Sequence, residues 1–109
     1  MWERGDLAMI RFFVRWRMNP HESFKTPEDR GKFVMKMLDD VKEEMQSGKI
    51  TDWGTCIDGS GGYSVYEVPS DRDVFDSLQK WVPHVTYDVR QVLTVQQLIE
   101  ARKGAAPQR

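Results

Sequence analysis

Residues 50–68 read ITDWGTCIDGSGGYSVYEV. The centre of this stretch, Asp58-Gly59-Ser60-Gly61-Gly62, is a cluster of turn-forming residues. Strand-like runs flank it, Ile50 to Ile57 before and Tyr63 to Val68 after, so the segment predicts a β-hairpin. Gly54 weakens the first strand, because it has no side chain to pack.

On each side of the hairpin the period changes from two to about 3.6. Upstream, Thr26-Pro27-Glu28-Asp29 is a helix start: Thr26 can cap, Pro27 suits the first helical position, and the acids favour the positive end of the dipole. Phe33, Val34, Met37, Leu38, Val41 and Met45 then form one apolar stripe, and Gly48 in Ser47-Gly48-Lys49 closes the helix. Downstream, Ser70 or Asp71 caps a second helix whose buried stripe is Val74, Phe75, Leu78 and either Trp81 or Val82. Pro83 ends it.

Beyond the helices lie two more strands. Met9 to Met18 alternates, with Ile10, Phe12, Val14 and Trp16 on one face and Arg11, Phe13, Arg15 and Arg17 on the other. Val85 to Leu93 carries Val85, Tyr87, Val89 and Leu93 on one face. Thr94 with Gln97 makes a capping box for a short third helix to about Lys103. The expected fold is therefore an α+β, ferredoxin-like βαββαβ sandwich with a C-terminal helix. It occupies residues 9–103, after a flexible leader at 1–8 and before a disordered tail at 104–109.

The bulk numbers agree with one small domain. The chain has 109 residues, 39% of them apolar, and a chain of that size can form one core without metals or disulfides. Its 16 basic and 17 acidic residues leave a net charge of −1, so no overall field draws it to nucleic acid or to a membrane surface. Cys56 is the single cysteine, which excludes an internal disulfide and points to no oxidising compartment. No apolar run is long enough for a membrane span or a signal peptide, and the expected location is the cytoplasm.

Both helices have one apolar stripe, so they cover one face of the sheet and leave the other open. The open face carries Arg11, Phe13, Arg15 and Arg17 from the first strand and Thr86, Asp88, Arg90 and Val92 from the last. The third strand adds either Tyr63, Val65 and Glu67 or Ser64, Tyr66 and Val68. This mixture is too apolar for a solvated surface and too charged for a plain core. Two copies packed face to face would bury the apolar part, which makes the expected partner a second copy of the chain.

The run Gly61-Gly62-Tyr63-Ser64-Val65-Tyr66-Glu67-Val68-Pro69-Ser70, followed by a helix and by Trp81 to Val92, resembles the second half of dimeric α/β-barrel proteins. Tyr63 to Ser70 is most similar to muconolactone isomerase, whereas Ile50 to Asp58 departs from it. A resemblance to small uncharacterised proteins of the same fold covers Met9 to about Ala101. It implies a homodimer whose two sheets face each other around an interior with pockets, and it carries over no catalytic residue.

Several residues are candidates for chemistry. His84, between Pro83 and a strand start, is a side-chain type suited to proton transfer near neutral pH, or else a plain turn residue. Asp88 would serve as a base if buried, or as an ion-pair partner of Arg90 or Arg15. Arg15 and Arg17 can clamp an anion bidentately, with Glu67 or Asp88 as the structural alternative. Tyr66 and Trp53 are further candidate ligand contacts. Cys56 reads as a small core residue, and the glycines lack the following helix that a phosphate loop needs. His21 and His84 have no acid at ligand spacing, so neither a metal site nor a cofactor is implied. The two functional readings are a protein that binds or isomerises a small anionic or carbonyl-containing metabolite, and a non-catalytic assembly module using the same face.

Overall fold

A computed structural model describes residues 9–105. The elements are β1 (Ile10–Met18), α1 (Pro27–Gln46), β2 (Ile50–Thr55), β3 (Gly61–Val68), α2 (Asp71–Gln79), β4 (Val85–Val92) and α3 (Val95–Ala105). The four strands form one antiparallel sheet in the order β2-β3-β1-β4. This is the βαββαβ arrangement of the ferredoxin-like type, with a helix appended. The segment 1–8 lies outside the described residues, and α3 runs two residues past the expected helix end.

The local signals act as written. Thr26 Oγ1 accepts from Asp29 N at 3.0 Å, and Ser70 Oγ accepts from Arg72 N at 3.2 Å, so each main helix starts on a side-chain cap. In the hairpin, Asp58 accepts from Ser60 N at 2.9 Å and from Ser60 Oγ at 2.7 Å, and these bonds hold its carboxyl below the usual carboxylate range. Gly59 takes a φ of +76°, a conformation that side chains with a Cβ rarely adopt.

The core lies between the sheet and the helices. Phe12, Val14, Ile50, Tyr66, Val68, Val74 and Leu78 form one buried cluster, and Trp16, Met37 and Val85 form a second beside it. Half-buried Trp53 and Tyr87 join the two. Three expectations fail here. Phe75 is 57% exposed, because it lies on the flank of α2 opposite Ser77, and Ser77 is the residue turned toward α1. Cys56 is exposed rather than in the core, since β2 ends one residue before it. Val89 shares the helix-side parity of Val85 but is exposed, because β4 is an edge strand that the helices do not reach along its whole length, and Leu93 is exposed because the strand ends one residue before it.

Candidate functional site

The register of the sheet builds the open face row by row. Arg15 pairs with Tyr63 on one side and Asp88 on the other, and Gly54 lies beyond Tyr63. The next rows are Asp52, Val65, Phe13 and Arg90, and then Gly61, Arg17 and Thr86. Of the two parities left open for β3, the structure takes the one that puts Tyr63, Val65 and Glu67 outward, and buries Ser64, Tyr66 and Val68.

Each neighbour of Arg15 is engaged elsewhere. Tyr63 leans over Gly54, where a Cβ would collide with its ring, and its hydroxyl donates to Asp52 Oδ2 at 3.0 Å. That bond to the carboxylate raises the Tyr63 phenol above its ordinary pKa. Phe13 stacks beside the Tyr63 ring at 6.2 Å. Asp88 accepts from Arg90 Nε at 3.3 Å, and Glu67 is taken by Arg11 at 2.6 Å. Among the described residues, the side chains of Arg15 and Arg17 have no hydrogen bond and no ion pair.

The result is an open cleft of about 840 Å³. Phe13, Arg15, Arg17 and Tyr63 form its floor, the hairpin from Gly54 to Gly62 borders one side, and Thr86 to Asp88 border the other. Two guanidinium groups face one carboxylate, so the cleft favours an anion. Hydroxyls of Ser60, Thr55 and Thr86 stand around it as further hydrogen-bonding groups.

Of the residues singled out by sequence, this cleft gathers Arg15, Arg17 and Asp88. Tyr66 and Trp53 are not in it. Tyr66 is 3% exposed beneath the helices, and Trp53 stacks on Trp16 at 5.5 Å on the same side. His84 is not in it either. Its ring is stacked on Phe24 at 4.3 Å and set edge-on to Phe33 at 5.0 Å, and its Nδ1 is buried with no partner among the described residues. A His84–Asp88 catalytic pair is therefore not assembled in the cleft.

Sequence reading also missed a polar group in the core. Glu44 is 7% exposed and accepts from Ser77 Oγ at 2.7 and 2.8 Å; Lys80 Nζ stands 3.4 Å from it and 2.6 Å from Asp40. Burial opposes the charge of Lys80, but Asp40 and Glu44 raise its pKa on balance. Tyr66 Oη lies 3.1 Å from Ser77 Oγ, and burial pushes its phenol far above the ordinary range. The signal was available: Glu44 falls three residues after Val41 and seven after Met37, within the apolar stripe of α1.

The fold and this cleft define a small α+β sandwich of the ferredoxin-like type with a basic, hairpin-edged cleft on its bare sheet face. The chain belongs to the family of the domain of unknown function DUF3303, whose model matches residues 10–106. No curated protein matches the chain. Among solved structures it is similar to the crystal structure of MupZ from Pseudomonas fluorescens, with 9% identity and a TM-score of 0.42 over 93% of this chain and 84% of that one. Among the described residues no helix is long and apolar enough to cross a membrane.

Proposed function

We propose that the protein pairs with a second copy through the open sheet face and binds a small anionic or carbonyl-containing metabolite in the cleft, with Arg15 as its principal contact. One observation carries this reading. Arg15 is a mid-strand arginine whose two cross-strand neighbours, Tyr63 and Asp88, both hold other partners. Covering that guanidinium with a second copy and leaving it unpaired would cost several kcal/mol, so a covered Arg15 needs an anion. Arg17, two residues away on the same face, provides a second fork for the same group. The cleft volume of about 840 Å³ suits a metabolite. The reading is of binding, because His84 stands outside the cleft and Asp88 is engaged by Arg90.

A thermal-shift screen of small carboxylates and enolisable lactones tests it, run on the native protein and on Arg15→Met. The expected result is a raised melting temperature for some of these compounds with the native protein and a much smaller one with the variant. Equal responses in the two proteins, or no response in either, overturn the anion site and leave the assembly-module reading.

A further inference from the structure

From a second apolar surface, on the other side of the sheet, we infer that two copies exchange their C-terminal helices. Helix α3 of each copy lies in a groove along the β4 edge of the other. The inference goes beyond the cleft and does not depend on it.

The helix comes first. Val95, Leu98, Ile99 and Arg102 follow the spacing of one helical face, and Val95, Leu98 and Ile99 are 77%, 51% and 43% exposed. An apolar stripe this exposed on an ordered helix lacks its partner.

The groove lies on the same chain. Ser77 of α2 faces α1 through Glu44, so Phe75, on the opposite flank of Val74 and Leu78, faces the β4 edge. Val89 of β4, paired with the buried Val14, points to this side of the sheet, and Leu93 follows the strand's end; like Phe75, both are exposed. From Val89 to the strand's end at Val92 there is about 10 Å of length, at roughly 3.4 Å per residue. The stripe from Val95 to Arg102 spans about 10 Å, at roughly 1.5 Å per residue, so one fits the other.

Helix α3 is held away from its own groove. Only Leu93 and Thr94 separate β4 from it. Thr94 N donates to Gln97 Oε1 at 2.9 Å, Gln97 N donates to Thr94 Oγ1 at 3.1 Å, and Gln97 Nε2 donates to Met9 O at 3.4 Å. The first two bonds close the helix's own first turn, and the third ties that turn to Met9 at the start of β1, with only the two-residue connection to β4 beside it, so folding the helix back onto its own groove would break the tie to Met9. The complementary helix therefore comes from a second copy. Charge agrees: the last turn of α3 carries Arg102 and Lys103, and Asp71 stands one turn before Phe75 on the same flank of α2. Each copy gives one helix and receives one, which is the closed two-fold arrangement that ends at a dimer.

The test replaces Phe75→Cys and Leu98→Cys in a Cys56→Ser background. Equal amounts of light and isotope-labelled chain are mixed, oxidised and weighed by mass spectrometry. The expected product is a disulfide-linked dimer that includes mixed light–heavy pairs. A disulfide within one chain, or no disulfide at concentrations where sedimentation shows a dimer, overturns the exchange. A purely monomeric protein without the cross-link, as for a helix that serves a different partner, also overturns it. A second variant, Leu98→Asp with Ile99→Asp, changes only side chains exposed in one copy and leaves the circular dichroism of the monomer unchanged. It is expected to raise the dimer dissociation constant at least about tenfold, as loss of central apolar contacts does; an unchanged constant counts against the exchange. Repeating the cross-link with Phe13→Asp separates the two interfaces. A cross-link retained in this variant leaves the exchange standing where the face pairing has failed; a cross-link lost from it, or lacking in the face-paired dimer without the Phe13 substitution, overturns the exchange.

Discussion

Ser77 has one hydroxyl proton, and the two short contacts from Ser77 Oγ to Glu44 Oε1 and Oε2 aim it at the carboxyl group. Tyr66 must then donate its own proton to Ser77 Oγ, 3.1 Å away. The chain of bonds thus runs from the sheet to α2 to α1 in one direction. Ser77→Ala removes the neutral donor of a buried carboxylate and is expected to cost about 1–3 kcal/mol in urea unfolding. Tyr66→Phe leaves Ser77 still donating to Glu44 and should cost less; a larger loss for Tyr66→Phe would reverse the assigned direction. On the open face, Tyr63 and Asp52 give a pH prediction. The hydrogen bond to Asp52 raises the Tyr63 phenol above its ordinary value of 10.0, so the protonated form is the one the fold favours. That contribution is complete below pH 10.0 and fades as the pH rises through the folded-state value. Asp52→Asn should move the Tyr63 step of an ultraviolet absorbance titration to lower pH, and an unmoved step would mean the bond is not made in solution.

The elements were legible in the sequence where one face is apolar and the other is not. β1 alternates cleanly, so the outward placement of Arg15 and Arg17 followed from parity alone. β3 carries Tyr63, Val65 and Tyr66 on both parities, and only the paired register decides that Tyr63 belongs to the cleft and Tyr66 to the core. In α1 the stripe was right in direction but broad. Met37 is its buried centre at 6% exposure, whereas Leu38 is half-buried at its margin. Met37→Ala is therefore expected to cost about 2–5 kcal/mol in denaturant melts, and Leu38→Ala less than that. Gly31 tests the same helix from outside: it lies within α1, and a Cβ there would meet nothing within 4 Å. Gly31→Ala should stabilise the protein by about 0.5–1 kcal/mol through helix propensity. A destabilised variant would show that this face of α1 is covered in the assembled protein.

For the whole molecule, the decisive quantity is how much apolar surface remains on each side once one chain has folded. The helix side is closed over the middle of the sheet and bare along the β4 edge. The other side carries Phe13 and the Tyr63 ring stacked together, with Val65 beside them, in a field of four arginines and three carboxylates from Arg11, Arg15, Arg17, Arg90, Asp52, Glu67 and Asp88. Such a face is close to charge balance, so a second copy of it is not repelled, and its aromatic centre gains from being covered. From these features a dimer at micromolar concentration is the expected outcome, to be checked by sedimentation equilibrium. Phe13→Asp puts a carboxylate at the centre of the apolar patch and should weaken the dimer at least about tenfold, because central aromatic anchors carry most of the energy of an interface. Raising the salt should change the affinity far less than this substitution does, since opposite charges on a balanced face are interspersed and largely cancel beyond the Debye length. A protein that stays monomeric at high concentration, or a dimer that dissociates with salt but tolerates Phe13→Asp, would place the contact elsewhere on the molecule.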